Sequence, residues 1–456
     1  MPEFGFDPGR RHDGWFCLHI ILLSGGSGKR LWPLSNDIRS KQFIKIFRKA
    51  GGGYESMLQR VYRQIKEADA EAKVTIATSK SQISAIHNQL GEQAAISAEP
   101  CRRDTFPAMA LAAAHLQDVQ GISREESIVV CPVDPYVEEE YFKALKELAR
   151  QAKTGEAGLV LLGITPTYPS EKYGYIIPAD NKRITSVTTF REKPTAERAA
   201  EYIGQGALWN GGVFACRLGY LLDKAHELID FADYQDLYEK YDTLTKISFD
   251  YAVAEQESSI QVMRFAGQWK DLGTWNTLTE AMEETVVGQG VMNETCESVH
   301  IINEMDVPIL AMGLKDVVIS ASPEGILVSD REQSSYMKPF VDRMDSQVMF
   351  AEKSWGSYRV IDVEKGSMTI KVTLNAGHSM NYHSHRHRDE VWTVVSGCGR
   401  TVVDGMEQKV KAGDVVTMSA GCRHTVIAET ELKLIEVQIG EEISVEDKQK
   451  FEYNAG

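Results

Sequence analysis

Two stretches of the chain carry residue types that do chemistry. Residues 23–43 read LSGGSGKRLWPLSNDIRSKQF, a glycine-rich run followed by Arg30 and Lys41. Gly25, Gly26 and Gly28 follow directly on the apolar run from Leu18 to Leu23, so backbone N–H groups there can approach an anion closely. Two cations on the same segment would neutralise a polyphosphate. A Walker loop ending at Gly28-Lys29 is excluded, because it needs a glycine where Leu23 stands and a hydroxyl where Arg30 stands. A G-x-G-x-x-G dinucleotide loop fails at Leu31. The second stretch, GHSMNYHSHRHRDEVWTVVSG, occupies 377–397. His383 and His385 alternate with Tyr382 and Ser384, and a period of two puts both imidazoles on one face of a strand. Glu390 and the distant His424 can complete a set of three histidines and one carboxylate from neighbouring strands. Such nitrogen and oxygen ligation suits Zn, Fe, Mn, Co or Ni. His387 and Arg388 read as a solvated, charge-rich hairpin.

The elements that must position these groups fall into three textures. From 17 to 285, strand-like runs alternate with helical patterns. The strands are expected at 17–23, 73–78, 127–134 and 158–164, and the helices at 54–68, 107–119 and 139–153. This alternation predicts an α/β domain with a Rossmann-like, mainly parallel but mixed sheet and right-handed crossovers. Ligands of such sheets sit at the carboxyl ends of strands, where the glycine run and Asp134 fall. From 286 to 345 only short strands such as SVHIIN and DVVISAS are expected, a β-helix-like linker segment. From 346 to 456, runs such as SMTIKVTL, EVWTVVSG and KLIEVQI recur at roughly the 8–12-residue spacing of an all-β barrel. Residues 1–16, rich in Gly, Pro and charge, read as an extension or cloning remnant.

Composition narrows the partners. The 456 residues carry a net charge of −15 with no long Lys/Arg block, which argues against a nucleic-acid partner. Anionic substrates must then be met by local cation clusters. Seven scattered cysteines without C-x-x-C spacing fit free thiols in a reducing compartment, so a cytoplasmic location is expected. No apolar run approaches the ~18 residues of a membrane helix, and CLHIILL reads as a buried first strand.

LSGGSGKRLWPLS…KQF resembles the signature of the sugar-nucleotide pyrophosphorylases, specifically the mannose-1-phosphate guanylyltransferases. The resemblance continues in order through EPCRRDTFPAMALAAA (99–114), CPVDPY (131–136), EKYGYI (171–176), FREKP (190–194), LWNGGVF (208–214), SFDYAV (248–253) and WKDLGTW (269–275). It implies transfer of GMP from GTP to mannose 1-phosphate, giving GDP-mannose and pyrophosphate. On that pattern Leu23, Ser24, Gly25, Gly26, Ser27 and Gly28 cradle the nucleotide, with Arg30 and Lys41 at its β/γ end. Asp134 and Asp271 would hold Mg²⁺, a hard cation suited to carboxylates. Lys193 would grip the sugar phosphate, Glu192 and Asn210 the sugar hydroxyls, and Gly174 would allow close backbone approach. Three stretches depart from the family: Ser40 replaces proline, Pro135 replaces histidine, and D-T-F-P from Asp104 to Pro107 replaces N-T-A-P.

The C-terminal third resembles a second family. The spacing G-x5-H-x-H-x4-E-x6-G at 377–397 is that of the first metal motif of the cupin barrels. GDVVTMSAGCRH (413–424) matches the second motif except for Ser419 in place of proline. Together with SWGSYRV (354–360) this resembles the phosphomannose isomerase domain fused to many guanylyltransferases, which commonly carries Gln where this chain has His383. It implies metal-assisted interconversion of mannose 6-phosphate and fructose 6-phosphate, with Zn²⁺ or another divalent transition metal on His383, His385, Glu390 and His424. A homodimer built through the middle segment is also expected. Three alternatives stand beside this reading: a transferase whose barrel is structural or regulatory, a transferase for another NTP and sugar 1-phosphate, and a sugar-nucleotide sensor.

Overall fold

A computed structural model describes residues 17–26, 29–36, 38–344, 347–444 and 446–453. The chain divides into two compact units, Met1–Gly25 with Leu58–Lys80 and Ala94–Asp271, and Gly26–Met57 with Ser81–Gln93 and Leu272–Gly456. Among the described residues no helix is long and apolar enough to cross a membrane.

The first unit is built on a nine-stranded mixed sheet. Its strands in chain order are β1 (His19–Leu23), β2 (Lys73–Ser79), β3 (Ala95–Glu99) and β4 (Ser127–Pro132), then, after a short β5 (Pro135–Val137), β6 (Leu159–Ile164), β7 (Gly174–Pro178), β8 (Ile184–Arg191), β9 (Leu208–Arg217) and β10 (Ile260–Phe265). The spatial order is β3-β2-β1-β4-β9-β6-β10-β8-β7. The first four strands are parallel, as expected, while β9 runs antiparallel to β4 and β6. Every residue of β6 is buried, the mark of a strand covered on both faces. The helix Glu139–Thr154 buries Tyr141, Phe142, Leu145, Leu148, Ala149 and Ala152, the i, i+3, i+4 stripe of an amphipathic helix. Its acidic first turn and Lys153 in the last turn suit the helix dipole. The helix expected at 107–119 starts earlier, at Thr105, because the Asp104 carboxylate caps the Thr105 N–H. It continues beyond Ala114 as a π-helical turn, His115–Val119.

In the second unit the short strands Val286–Gly288, His300–Asn303 and Val317–Ser322 stack in parallel, as do Gly290–Met292 and Ile309–Ala311. Ile301, Ala311 and Ile319 fill the space between the two stacks, the arrangement of a short β-helix. The barrel follows, a six-stranded and a five-stranded sheet. Two of its strands, Arg388–Ser396 and Leu432–Gly440, show how it is divided. Inward positions alternate as Arg388, Glu390, Trp392 and Val394 on the first, and Leu432, Leu434, Glu436 and Gln438 on the second. In register, Val394 faces Leu434 and Glu390 faces Gln438. One end of the barrel interior is therefore apolar core and the other a buried polar chamber.

Candidate active sites

The first unit assembles two groups of predicted residues. Leu23 ends β1, and its carbonyl accepts from Val133 N–H at 3.1 Å, which lays the Asp134 turn beside the strand end. The buried Ser24 is fixed by its N–H on Ala77 O at 2.8 Å and by Thr78 Oγ1 on its carbonyl at 3.3 Å. Gly25 follows, exposed, with open space where a Cβ would stand. A short strand β11 (Trp269–Asp271) pairs antiparallel with β5, placing Asp271 opposite Pro135. Asp134 immediately precedes Pro135, so two acids far apart in the chain emerge from one ladder. The Tyr173 hydroxyl has its pKa raised by burial, then by the charge of Asp271 and by Tyr168, with Asp134 contributing least. Carboxylates are the hard oxygen donors that Mg²⁺ takes.

Gly174, Glu192, Lys193 and Asn210 form the second group. Asn210 on β9 pairs with Gly174 on β7. A Cβ on Gly174 would stand 2.4 Å from Glu192 Oε2 and 3.2 Å from Asn210 Cβ, so any larger residue would push the Glu192 carboxylate from its place. Lys193 sits at φ 45°, an unusual backbone for a non-glycine residue, with its N–H on Tyr173 O at 3.2 Å. Its ammonium lies 2.6 Å from Glu192 Oε1. Burial disfavours that ammonium, but the Glu192 carboxylate outweighs it and the Lys193 pKa is raised. Glu192 Oε2 is buried without a hydrogen-bond partner among the described residues, an acceptor suited to a hydroxyl donor.

Sequence reasoning passed over Asp250, although it lies in the matched stretch SFDYAV. It opens a π-helical turn, Asp250–Ala254, and accepts from Asn210 Nδ2 at 2.7 Å. Asn210 Oδ1 in turn accepts from Gly212 N–H at 3.0 Å. Burial, and then the charge of Glu192, push the Asp250 pKa up to about 6.

The second unit holds the remaining nucleotide candidates. Gly26 adopts φ 134°, open to glycine. Its carbonyl accepts from Ser40 Oγ at 2.9 Å, and Ser40 Oγ accepts from Gln82 Nε2 at 2.6 Å. The departure from proline thus serves a bond that proline could not make. Lys41 opens a 3-10 turn with Nζ 3.4 Å from Leu272 O, and Arg30 is exposed. Ser27 and Gly28 lie outside the described residues.

The polar chamber of the barrel brings His383, His385, Glu390 and His424 together, their ligand atoms all within 4.8 Å of one another and all four buried. Each histidine spends Nδ1 on a backbone carbonyl: Asn381 O at 2.6 Å, Asp447 O at 3.3 Å and Cys422 O at 3.0 Å respectively. A carbonyl only accepts, so Nδ1 carries the proton and Nε2 keeps its lone pair for the centre. His385 Nε2 and His424 Nε2 approach the two Glu390 oxygens at 3.1 and 3.2 Å. Burial and then the Lys448 ammonium hold the His383 pKa down to about 2, which keeps it neutral. Burial works against the Glu390 carboxylate, yet the adjacent His385 and His424 hold its pKa well below the usual range. The donor set and its second layer of hydrogen bonds fit a divalent transition metal.

Arg388 corrects the expectation of a solvated hairpin. Only His387 is exposed; Arg388 is buried, with Nε on Glu390 Oε1 at 3.1 Å and Nη2 on His385 Nε2 at 3.1 Å. A metal on His385 and this hydrogen bond would compete for one lone pair. Further inside, burial and then Glu390 push Glu436 up to about 7, and burial brings Lys448 down to about 8.

Comparison with known proteins agrees with both halves. The nucleotidyl transferase family matches residues 19–287, more than half of the chain, and the mannose-6-phosphate isomerase C-terminal family matches residues 343–453. The xanthan biosynthesis protein XanB of Xanthomonas campestris pv. campestris is 30% identical over 96% of this chain and 98% of its own. The mannose-1-phosphate guanylyltransferase of Escherichia coli is 28% identical over 95% of this chain and 98% of its own. A solved structure from Thermus thermophilus, described as a mannose-1-phosphate geranyltransferase, superposes with TM-score 0.60 at 26% identity, covering 72% of this chain and 98% of that one. The chain belongs to the nucleotidyl transferase family, as an enzyme that carries a mannose-6-phosphate isomerase C-terminal domain.

Proposed function

We propose that the protein transfers GMP from GTP to mannose 1-phosphate, releasing pyrophosphate and GDP-mannose. A phosphate oxygen of the sugar attacks the α-phosphorus, the α–β bridging bond breaks, and the electron pair leaves on pyrophosphate. Neither reactant needs covalent activation, so the work is alignment of two polyanions and neutralisation of growing charge. Lys193 meets the sugar phosphate, while Glu192 and Asn210 over Gly174 orient the ring. Arg30 and Lys41 take the departing pyrophosphate. Asp134 and Asp271 would hold Mg²⁺, which supplies positive charge to the phosphate oxygens. The observation that supports this reading is the β5–β11 ladder, which pairs Asp271 with Pro135, the residue that follows Asp134.

The barrel, loaded with a divalent metal on His383, His385, Glu390 and His424, interconverts mannose 6-phosphate and fructose 6-phosphate. A divalent metal held by these four residues would supply Lewis-acid polarisation of the sugar carbonyl, the chemistry that moving a proton between C1 and C2 needs. The product feeds polysaccharide synthesis, a reading supported by the xanthan role in the name of XanB. Free cysteines support a cytoplasmic location, and the assembly is a homodimer. A pyrophosphate-release screen across NTPs and sugar 1-phosphates tests the transferase, with GTP and mannose 1-phosphate expected to be the best pair. Release with no pair would refute it, and no isomerisation with Zn²⁺, Co²⁺ or Mn²⁺ added would reduce the barrel to a structural module.

A further inference from the structure

The residues between the glycine run and Lys41 are seated, along most of their length, on the β-helix segment and the first barrel strand, all inside the second unit. Trp32 packs against Gly325, where a Cβ would lie 2.5 Å from its ring, and Pro33 O accepts from Ser322 Oγ at 2.6 Å. Asn36 Oδ1 accepts from the N–H groups of Ile38 and Arg39 at 2.9 and 2.6 Å, closing the local turn. Its Nδ2 then reaches Glu324 Oε1 at 2.8 Å and Phe350 O at 3.0 Å. Glu324 Oε1 also accepts from the N–H groups of Met349 and Phe350. Arg39 forms a bidentate pair with Glu304, at 2.7 and 2.8 Å, and its guanidinium lies 5.2 Å over the Phe350 ring. The next residue, Ser40, holds Gly26, and the one after is Lys41.

From this we propose that Glu304 and Glu324 are positioning residues for nucleotidyl transfer: through Arg39 and Asn36 they fix where Lys41 and the Gly26 carbonyl stand. The β-helix segment is then part of the transferase machinery and not a tether to the barrel. A bidentate, half-buried guanidinium–carboxylate pair fixes direction as well as distance, which a single hydrogen bond does not. The proposal rests on Lys41 acting on the nucleotide, as argued above.

The test uses the full-length protein and varies GTP and mannose 1-phosphate separately in the pyrophosphate assay. Arg39→Ala and Glu304→Gln are each expected to lower kcat/KM for GTP by roughly tenfold or more, as for a displaced positioning group. KM for mannose 1-phosphate should stay within about twofold, and the double variant should be no worse than the poorer single, the signature of one coupled pair. Arg359→Ala breaks the Arg359–Asp306 pair (3.2 Å) of the same region without touching 29–41, and should leave the GTP parameters unchanged. Should Arg39→Ala fail to fold, Arg39→Lys keeps the charge without the fork and carries the same expectation at smaller size. GTP parameters unmoved in both single variants, or lowered equally by Arg359→Ala, would overturn the proposal. If the wild type released no pyrophosphate with any pair, the transferase reading itself would have failed. Calorimetric titration with Mg·GTP would then still decide, since affinity unchanged by Arg39→Ala would overturn the positioning role and weakened affinity would uphold it.

Discussion

Replacing Asp250 by asparagine removes one negative charge from a buried site that already holds Glu192, while keeping an oxygen for Asn210 Nδ2 to donate to. The Asp250 pKa rises from 3.8 to about 6 on folding, from burial first and the Glu192 charge second. Between about pH 4 and pH 6 the folded protein therefore holds a proton that the unfolded chain has released. Stability falls as pH rises through that window, the reverse of a salt-bridged carboxylate. At roughly 1.36 kcal/mol per pH unit, the rise amounts to about 3 kcal/mol of destabilisation at neutral pH. Asp250→Asn should recover most of it, raising the unfolding temperature of the first unit by roughly 6–12 °C at pH 7.5. Near pH 4 the two proteins should unfold together. Thermal melts of wild type and variant from pH 4 to pH 8 read this directly. A difference that stays flat across that range, or a variant less stable at pH 7.5, would refute the reasoning. A large stabilising substitution available at a buried acid also implies that the acid is kept for another reason, and here the partner it orients is Asn210. Asp250→Ala, which leaves that amide unheld, should raise KM for mannose 1-phosphate with little change for GTP.

Three further outcomes follow from the geometry. Asp271→Ala removes one of the two carboxylates that emerge from the β5–β11 ladder; turnover should fall by about 10³-fold while GTP still binds by calorimetry, and retention of a tenth of the activity would contradict the metal role. Gly174→Ala drives a Cβ to 2.4 Å from Glu192 Oε2. It should raise KM for the sugar phosphate by roughly tenfold without altering KM for GTP, the result expected of a subsite displaced by an ångström. In the barrel, one equivalent of Zn²⁺, Co²⁺ or Mn²⁺ should bind and stabilise it by about 4 kcal/mol at a thousandfold excess over Kd. His385→Ala should abolish binding, measured by metal analysis, and isomerisation, measured by a coupled assay, with GDP-mannose synthesis intact. Acidification should weaken the metal site, because protonation of an imidazole Nε2 removes its donor pair.

The β strands and the two chemistries were legible because their signals are local. Continuous apolar runs located β1, β2, β4 and β6 to within two residues, and H-x-H spacing alone placed His383 and His385 on one face. Convergence was not legible from periodicity. Nothing in the spacing of Asp134 and Asp271 says that Asp271 pairs with the residue after Asp134; only the ordered resemblance across 23–275 suggested the pair. Asp250 was hidden for a related reason. Its partner Asn210 lies on β9, a strand that runs against β4 and β6, and antiparallel insertion into a parallel sheet is a tertiary choice that a single sequence does not announce.

Arg388 is the more instructive case, because the rule that would have placed it was already in use. In Arg388-Asp389-Glu390-Val391-Trp392 the period of two that puts Trp392 and Glu390 inside the barrel puts Arg388 inside as well. A charge-rich string outweighed that parity, since arginine is rarely buried without a partner. The partner existed, but it was Glu390, two residues along the same strand, together with His385 from the strand before it. A buried cation and a buried carboxylate at i and i+2 of one strand satisfy each other on the inward face, so neither is an argument for solvent. Strand parity should therefore be applied to charged residues before composition is consulted, wherever two opposite charges share a parity next to a histidine pair.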